Sequence, residues 1–439
     1  MLQTIRNAWK IADLRKKLLF TFAILLLYRL GNVIPVPFVN TDTMSRWFEG
    51  STLQNSVLGL FNMMSGSAFS RATLFALSIQ PYINASIIIQ LLTIAIPALE
   101  RLSKEGGEEG RKKIERITRY TTVGLGVLMG WAYWMMTKNS NIQSIQAGSG
   151  EILVDTGIIP AITVILSFTA GSALVMWLGE QITEFGIGNG ISMILFANIV
   201  SRLPAMTINL GDNLIHSFKD YWYVAVVAIV GMVALIMLIV YVTNAERRIP
   251  VSYAKRVVGR KVYGGQNTFL PIKVNMSGVL PIIFAQSVAT LPATIAAFVG
   301  KADNSNPWYR YAWSNTSAVY LVVYLLLIVA FSYFYATIQY NPVEISNNLR
   351  KNGGFIPGYR PGRPTSDFIK RVINKITLFG AIFLGIVAGL PIVTGMISDK
   401  FSSMAIGGTS VIIVVGVALE TVQAIEAQML MRHYKGFLE

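Results

Sequence analysis

The stretch FNMMSGSAFSRATLFALSIQPYINASIIIQLL, Phe61 to Leu92, decides how this chain is to be read. It is apolar along most of its length, yet it carries Ser65-Gly66-Ser67, then Arg71, then Gln80-Pro81 and Asn84. As one straight helix it would extend ~48 Å at about 1.5 Å per residue, against a hydrocarbon core of about 30 Å. One continuous span is a poor reading, and the interruptions need a physical purpose.

Composition supplies the setting. Of 439 residues, 53% are hydrophobic and only 13% are charged, and the mean hydropathy is +0.53. That is far more apolar surface than a soluble globule of this length buries, so the chain reads as a polytopic membrane protein. The absence of cysteine removes disulfides, thiolate chemistry and Cys-based metal sites together. The basic N-terminal region followed by LLFTFAILLLYRL resembles a signal peptide, but GNVIPVPF follows where a small-residue cleavage site would stand. The segment is read as a retained first span.

Ten apolar windows are long enough to cross lipid, near 18–38, 73–97, 118–137, 158–178, 188–205, 222–243, 277–299, 318–340, 372–393 and 405–428. Basic clusters such as Arg111, Lys112, Lys113 and Arg116 fall in loops on one side, whereas the opposite loops hold only Arg46, Lys138, Arg202, Lys219, Lys301, Arg310 and Lys400. The positive-inside rule then puts both termini in the cytoplasm. Division into 1–215 and 216–439 gives two halves of five spans each, and an odd number per half inverts the second relative to the first. The second window of each half contains proline, in SIQPYINAS and GVLPIIFAQSVATLP. Proline within a span removes a backbone hydrogen bond, so these two helices are expected to be the ones that move.

Two loops, about 245–275 and 341–371, are long, basic and punctuated by Gly and Pro with Tyr interleaved. They read as disordered connectors, as contacts for anionic membrane lipids, or as ordered projections that dock an acidic protein or RNA phosphate. Their alternating aromatic and apolar residues favour the last.

Catalytic signals are sparse. No phosphate-binding loop occurs, and GIGNG at 186–190 is too short for a dinucleotide fingerprint, so nucleotide-driven work has to come from another protein. His216 and His433 fall near opposite faces, which argues against a metal site or a catalytic dyad. No cofactor is expected. Glu180 and Glu184 stand at i, i+4 on one helical face, the spacing a carboxylate pair of an intramembrane protease or proton relay needs, but they lie past the end of the fourth window, where a solvated helix end needs no special role. A secondary transporter with broken helices would need a charged or Na⁺-coordinating group at mid-membrane, and the middles of the spans are almost wholly apolar. Arg29 sits near the end of the first span, placed to snorkel outward.

Several stretches taken together resemble the SecY family, the pore subunit of the bacterial protein translocon: the opening stretch itself, RKKIERITRY, MWLGEQITEFGIGNGIS, RRIPVSYAKR, LPIKVNMSGVLPIIFAQS, GFIPGYRPGRPT and GGTSVIIVVGVALE. They run in order from about residue 10 to about 430. The resemblance implies an all-α channel of ten transmembrane helices in two inverted halves around a central pore, with a short re-entrant plug helix. It conducts unfolded secretory polypeptides across the bacterial cytoplasmic membrane, releases hydrophobic segments sideways into lipid, and is not itself an enzyme.

Residue roles follow from the same resemblance. The plug falls on Leu60, Phe61, Asn62, Met63, Met64, Ser65, Gly66, Ser67, Ala68, Phe69 and Ser70, with Ser-Gly-Ser as a flexible break and Arg71 at the junction to the crossing helix. The pore ring falls on Ile79, Ile83, Ile191, Leu195, Ile283 and Ile413. An apolar collar dewets and blocks ions, yet deforms around a chain without binding it. The lateral gate takes polar contacts from Asn84, Ser86 and Gln286. Lys255, Arg256, Arg260 and Arg360 match docking sites for the SecA ATPase and the ribosome. Signal sequences and unfolded preproteins are the substrates, and small membrane subunits like SecE and SecG are the implied partners.

Overall fold

Inside lipid a backbone finds hydrogen-bond partners only in itself, and long apolar runs accordingly become helices. The computed structural model describes residues 2–50, 57–104, 106–146, 150–216, 218–253, 256–258, 261–263, 267–276, 278–298, 317–397 and 408–435. In order these form α1 (Leu2–Lys10), α2 (Ala12–Gly31), α3 (Thr41–Gly50), α4 (Val57–Met64), α5 (Gln80–Ala95), α6 (Pro97–Lys104), α7 (Gly107–Gln146), α8 (Ile158–Phe185), α9 (Gly190–His216) and α10 (Phe218–Asn244). There follow β1 (Glu246–Tyr253), β2 (Arg256–Val258), β3 (Lys261–Tyr263), β4 (Asn267–Lys273), α11 (Leu280–Phe298), α12 (Ala318–Gln339), α13 (Pro342–Lys351), β5 (Gly354–Phe355), α14 (Arg363–Ile397) and α15 (Gly408–Lys435).

Each of the ten apolar windows overlaps one helix: α2, α5, α7 to α12, α14 and α15. Among the described residues, Ile158–Phe185, Ala318–Lys351, Arg363–Met396 and Ser410–Leu430 are each long and apolar enough to cross a bilayer, and the bent pair formed by α5 and α6 adds a fifth. That pair turns through 104°. The cause is local: Ile96 precedes Pro97, is pushed out of the helical region to φ −108° and ψ 113°, and ends α5. At 40 residues α7 is about 60 Å long, so its charged first turns must project beyond any bilayer core.

The chain forms two compact units. The first comprises Met1–Trp222, Ser287–Tyr320 and Val417–Glu439. Its core gathers Met44 and Phe48 of α3, Leu58 of α4, Phe69, Ala72 and Leu77, Tyr133 and Trp134 of α7, and Val164 and Phe168 of α8. The Phe69, Tyr133 and Phe168 rings meet edge to face, with centroids 4.9 Å and 4.7 Å apart.

The second unit, Tyr223–Gln286 and Leu321–Gly416, contains the two basic loops, whose described residues include five strands and a helix. β1 pairs antiparallel with β4 from Glu246↔Lys273 to Ser252↔Asn267, and β5 adds to the other edge of β1 at Ser252↔Phe355 and Tyr253↔Gly354. One apolar cluster lies beneath, joining Ile249 and Val251 of β1 and Ile272 of β4 to Ile356 and to Ile369 and Ile373 of α14. α13 starts on Asn341, whose side-chain oxygen accepts from the amides of Val343 and Glu344, with Pro342 in the first helical position.

Candidate functional site

The opening stretch does not form a helix that proline breaks. α4 ends at Met64, residues 65–79 run through successive turns, and the next helix begins at Gln80 with Pro81 in its first turn. The expectation of a span interrupted by Pro81 is corrected accordingly: the missing amide falls where helical amides have no partner in any case, so Pro81 starts the helix instead of weakening it. α11 likewise begins Leu280-Pro281, and its internal proline is Pro292.

Ser65-Gly66-Ser67, expected as a flexible break, is a closed helix terminus. The Ser67 amide donates to the Asn62 carbonyl (2.9 Å) and the Gly66 amide to Met63 (3.2 Å), the paired bonds of a Schellman motif. Gly66 takes the left-handed position at φ +68° that this motif requires. Side chains hold the turns that follow. Ser65 Oγ accepts from the Phe69 amide (3.0 Å), and Asn62 Oδ1 accepts from the Ser70 amide (3.0 Å). The Leu74 amide donates to the Ile34 carbonyl, and Val36 donates to Ala72. Ser67, Ala72 and Ser78 all have positive φ, so strained backbone concentrates here. Gly171 of α8 lets this irregular chain pack closely, since a Cβ there would collide with the Leu74 carbonyl.

Of the expected plug, Leu60 to Met64 lie in α4 and Ser65 to Ser70 in the turns, with Asn62, Met64, Ser65, Ala68, Phe69 and Ser70 buried. Arg71 is exposed. For the expected ring, Ile79, Ile83 and Leu195 are buried and Ile191 is partly buried in the first unit, while Ile283 and Ile413 are buried in the second. Ile79 and Ile191 both approach Gly179 of α8, where a Cβ would lie 3.7 Å from Ile79 Cδ1 and 3.6 Å from Ile191 Cγ1. In the second unit α15 packs on the start of α11, with Gly416 against Val279, one turn from Ile413 and Ile283 respectively.

Of the gate residues, Ser86 accepts a hydrogen bond from Gln90 of its own helix (3.2 Å), Asn84 is partly buried and Gln286 is buried. Of the docking residues, Lys255 and Arg260 lie outside the described residues, and Arg256 belongs to β2. Arg360 is exposed at the tip of a turn between Gly358 (φ +86°) and Gly362 (φ +110°). Its carbonyl accepts from Thr365 Oγ1 (2.8 Å), and Tyr359 beside it stacks on Phe368 with ring centroids 4.3 Å apart. The guanidinium is therefore carried on a restrained backbone. Glu180 is bound to Arg119 at 2.9 Å while Glu184 is exposed, so the two carboxylates do not share a site.

Sequence reasoning missed a buried polar group at the end of α4. Arg29 does not snorkel: its guanidinium turns inward and donates to the Ala197 carbonyl of α9. Next to it, Asn198 Nδ2 donates to the Met64 carbonyl (2.7 Å) and to the Tyr28 hydroxyl (2.8 Å), with Ser78 Oγ at 3.3 Å. Asn32 Nδ2 donates to the Ser65 carbonyl at 3.4 Å. The only signal in the sequence is an asparagine inside an otherwise apolar run, SMILFANIV.

Comparison with known proteins bears on the family and the fold. The SecY family model matches residues 73–422. The protein translocase subunit SecY of Streptomyces scabiei is 42% identical over 439 residues, covering 100% of both chains. That of Mycobacterium bovis is 40% identical over 450 residues, again across the whole of both. Among solved structures, a protein-conducting channel aligns with TM-score 0.66 at 18% identity over 94% of this chain and 92% of that one. A SecY structure concerned with the plug domain aligns at 0.62, also at 18% identity and over 94% and 92% of the two chains. The helical fold is thus that of the channel structures, and the chain belongs to the SecY family.

Proposed function

We propose that this chain is a passive, gated conduit for unfolded polypeptides, a multi-pass protein of the bacterial cytoplasmic membrane with both termini in the cytoplasm. One observation carries the reading: a short helix and a run of non-helical backbone, Val57 to Ile79, buried among long apolar helices. Irregular backbone at membrane depth is tolerated only where protein or a water-filled cavity surrounds it, which suits a stopper in a funnel. Residues 60–70 are the plug, and Ile79, Ile83, Ile191, Leu195, Ile283 and Ile413 form the collar that seals around a passing chain. The helices that begin at Gln80 and Leu280 border the lateral gate, with Asn84, Ser86 and Gln286 as its breakable polar contacts, each worth about 0.6–2 kcal/mol between membrane helices. The halves 1–215 and 216–439 are the inverted repeats around the pore.

Energy comes from partners. The platform made by β1, β4, β5 and α13 presents Arg360, and with Lys255, Arg256 and Arg260 it docks the SecA motor or the ribosome, while SecE- and SecG-like subunits complete the complex. Ribosome-bound channels of this fold, from dog and yeast, support the ribosome as partner. Arg360, exposed at its turn, is the contact to test. Arg360→Glu abolishes ATP-driven export of a secretory precursor into reconstituted vesicles while the protein stays inserted, because the reversed charge repels an acidic or phosphate surface. Unchanged export by that variant would remove the docking assignment.

A further inference from the structure

The last carbonyls of a helix lack partners within it. In α4 the local turns satisfy three of them: Phe61 O by the Ser65 amide, Asn62 O by Ser67 and Met63 O by Gly66. Met64 O and Ser65 O remain, and these are the two reached by side chains from other helices, Asn198 of α9 and Asn32 at the end of α2. Asn198 is fully buried. It is also held in place, by the Tyr28 hydroxyl on its amide and by Arg29 on the carbonyl of the preceding residue. Ile191, Leu195 and Asn198 stand at i, i+4 and i+7, one face of α9, so the asparagine lies on the same stripe as two collar residues.

We propose that Asn198 and Asn32 are positioning residues of the plug seat: they supply, from the channel wall, the two hydrogen bonds that the plug helix cannot make for itself. Movement of the Ile191 and Leu195 face away from the axis carries Asn198 off Met64 O, so widening the collar and releasing the plug are one event. This rests on the plug reading given above. Nothing in the family resemblance singles out Asn198, and the apolar contacts of Leu58 and Phe69 account for the plug's general location without it.

The test uses the purified full-length complex in planar bilayers and compares three forms: Asn198→Leu, deletion of 60–70, and both together. An orphaned buried acceptor weakens the seat, and the resting open fraction is expected to rise roughly 5- to 150-fold in Asn198→Leu. The deletion is expected to leak at least as much, and adding Asn198→Leu to it to change nothing. A leaking deletion with a silent Asn198→Leu overturns the seat assignment and leaves the plug. A further leak from Asn198→Leu on the deletion background also overturns it, because the residue then acts elsewhere. A deletion that does not leak overturns the plug reading itself. Because the chain has no cysteine, Met63→Cys offers a second readout that needs no conductance. Its alkylation by a membrane-impermeant maleimide is expected to accelerate in Asn198→Leu and in Asn32→Ala, and equal rates in all backgrounds contradict the proposal.

Discussion

Among the described residues the platform and the plug both depart from helix, and they are built on opposite plans. The platform of the second unit is a backbone ladder over an apolar cluster: seven residue pairs join β1 to β4, and isoleucines from strands and α14 fill the space beneath. The plug and its turns have almost no ladder. Their backbone bonds are local turns, and Ser, Asn and Tyr side chains supply many of the rest, with Ser67, Ala72 and Ser78 at positive φ. Buried acceptors without donors, Asn32 Oδ1, Gln80 Oε1 and Asn198 Oδ1, gather at the same place. A ladder on a packed cluster resists partial opening, whereas a segment of local turns tied to its neighbours by a few side-chain bonds opens at lower cost. A docking surface needs the first property and a stopper the second.

Mutations that act on one plan and leave the other intact sharpen this contrast. Ile369, fully buried under the platform, should be the most damaging: Ile369→Ala is expected to cost about 2–5 kcal/mol and to make the 246–273 loops sensitive to limited proteolysis. Resting conductance should stay at background, and a leak from this variant would break the separation between the regions. Gly66→Ala acts on the seat. Its φ of +68° costs a Cβ-bearing residue about 1–2 kcal/mol, and the added carbon would lie 2.9 Å from the Arg29 guanidinium, so single-channel recording should show more frequent openings with protease resistance of the platform unchanged. Smallest of all is Glu180→Gln with Glu184→Gln. The exposed pair with Arg119 is worth well under ~1 kcal/mol, so export by the double variant should match the parent. Intact export with loss of cleavage of a membrane substrate would instead revive the protease reading.

The sequence showed the helices far better than the seat. Lipid demands about 20 apolar residues per crossing, a signal long enough that each of the ten windows overlaps a helix. The opening stretch also announced that it was not one span, because Ser-Gly-Ser and Gln-Pro are local. Whether Pro81 broke a helix or began one depended on where residues 65–79 went, and Ile34, Val36 and Gly171 decide that from afar. Asn198 meets Tyr28 and Met64 across 170 and 134 positions, so no periodicity records the contact. The platform lay between: ERRIPVSY and NTFLPIK carry strand-forming residues, but proline in both obscured them, and the reading stopped at ordered projections.

The central claim is that an unfolded chain passes between the aliphatic side chains at mid-bilayer. Cysteines placed singly at 79, 83, 191 and 283 are each unique in this chain, and one at Leu166, which is 58% exposed on α8, serves as the lipid-facing control. Disulfide crosslinking of a secretory precursor stalled in transit should capture the four and spare the control. Capture at position 166 with none at the four would contradict the account.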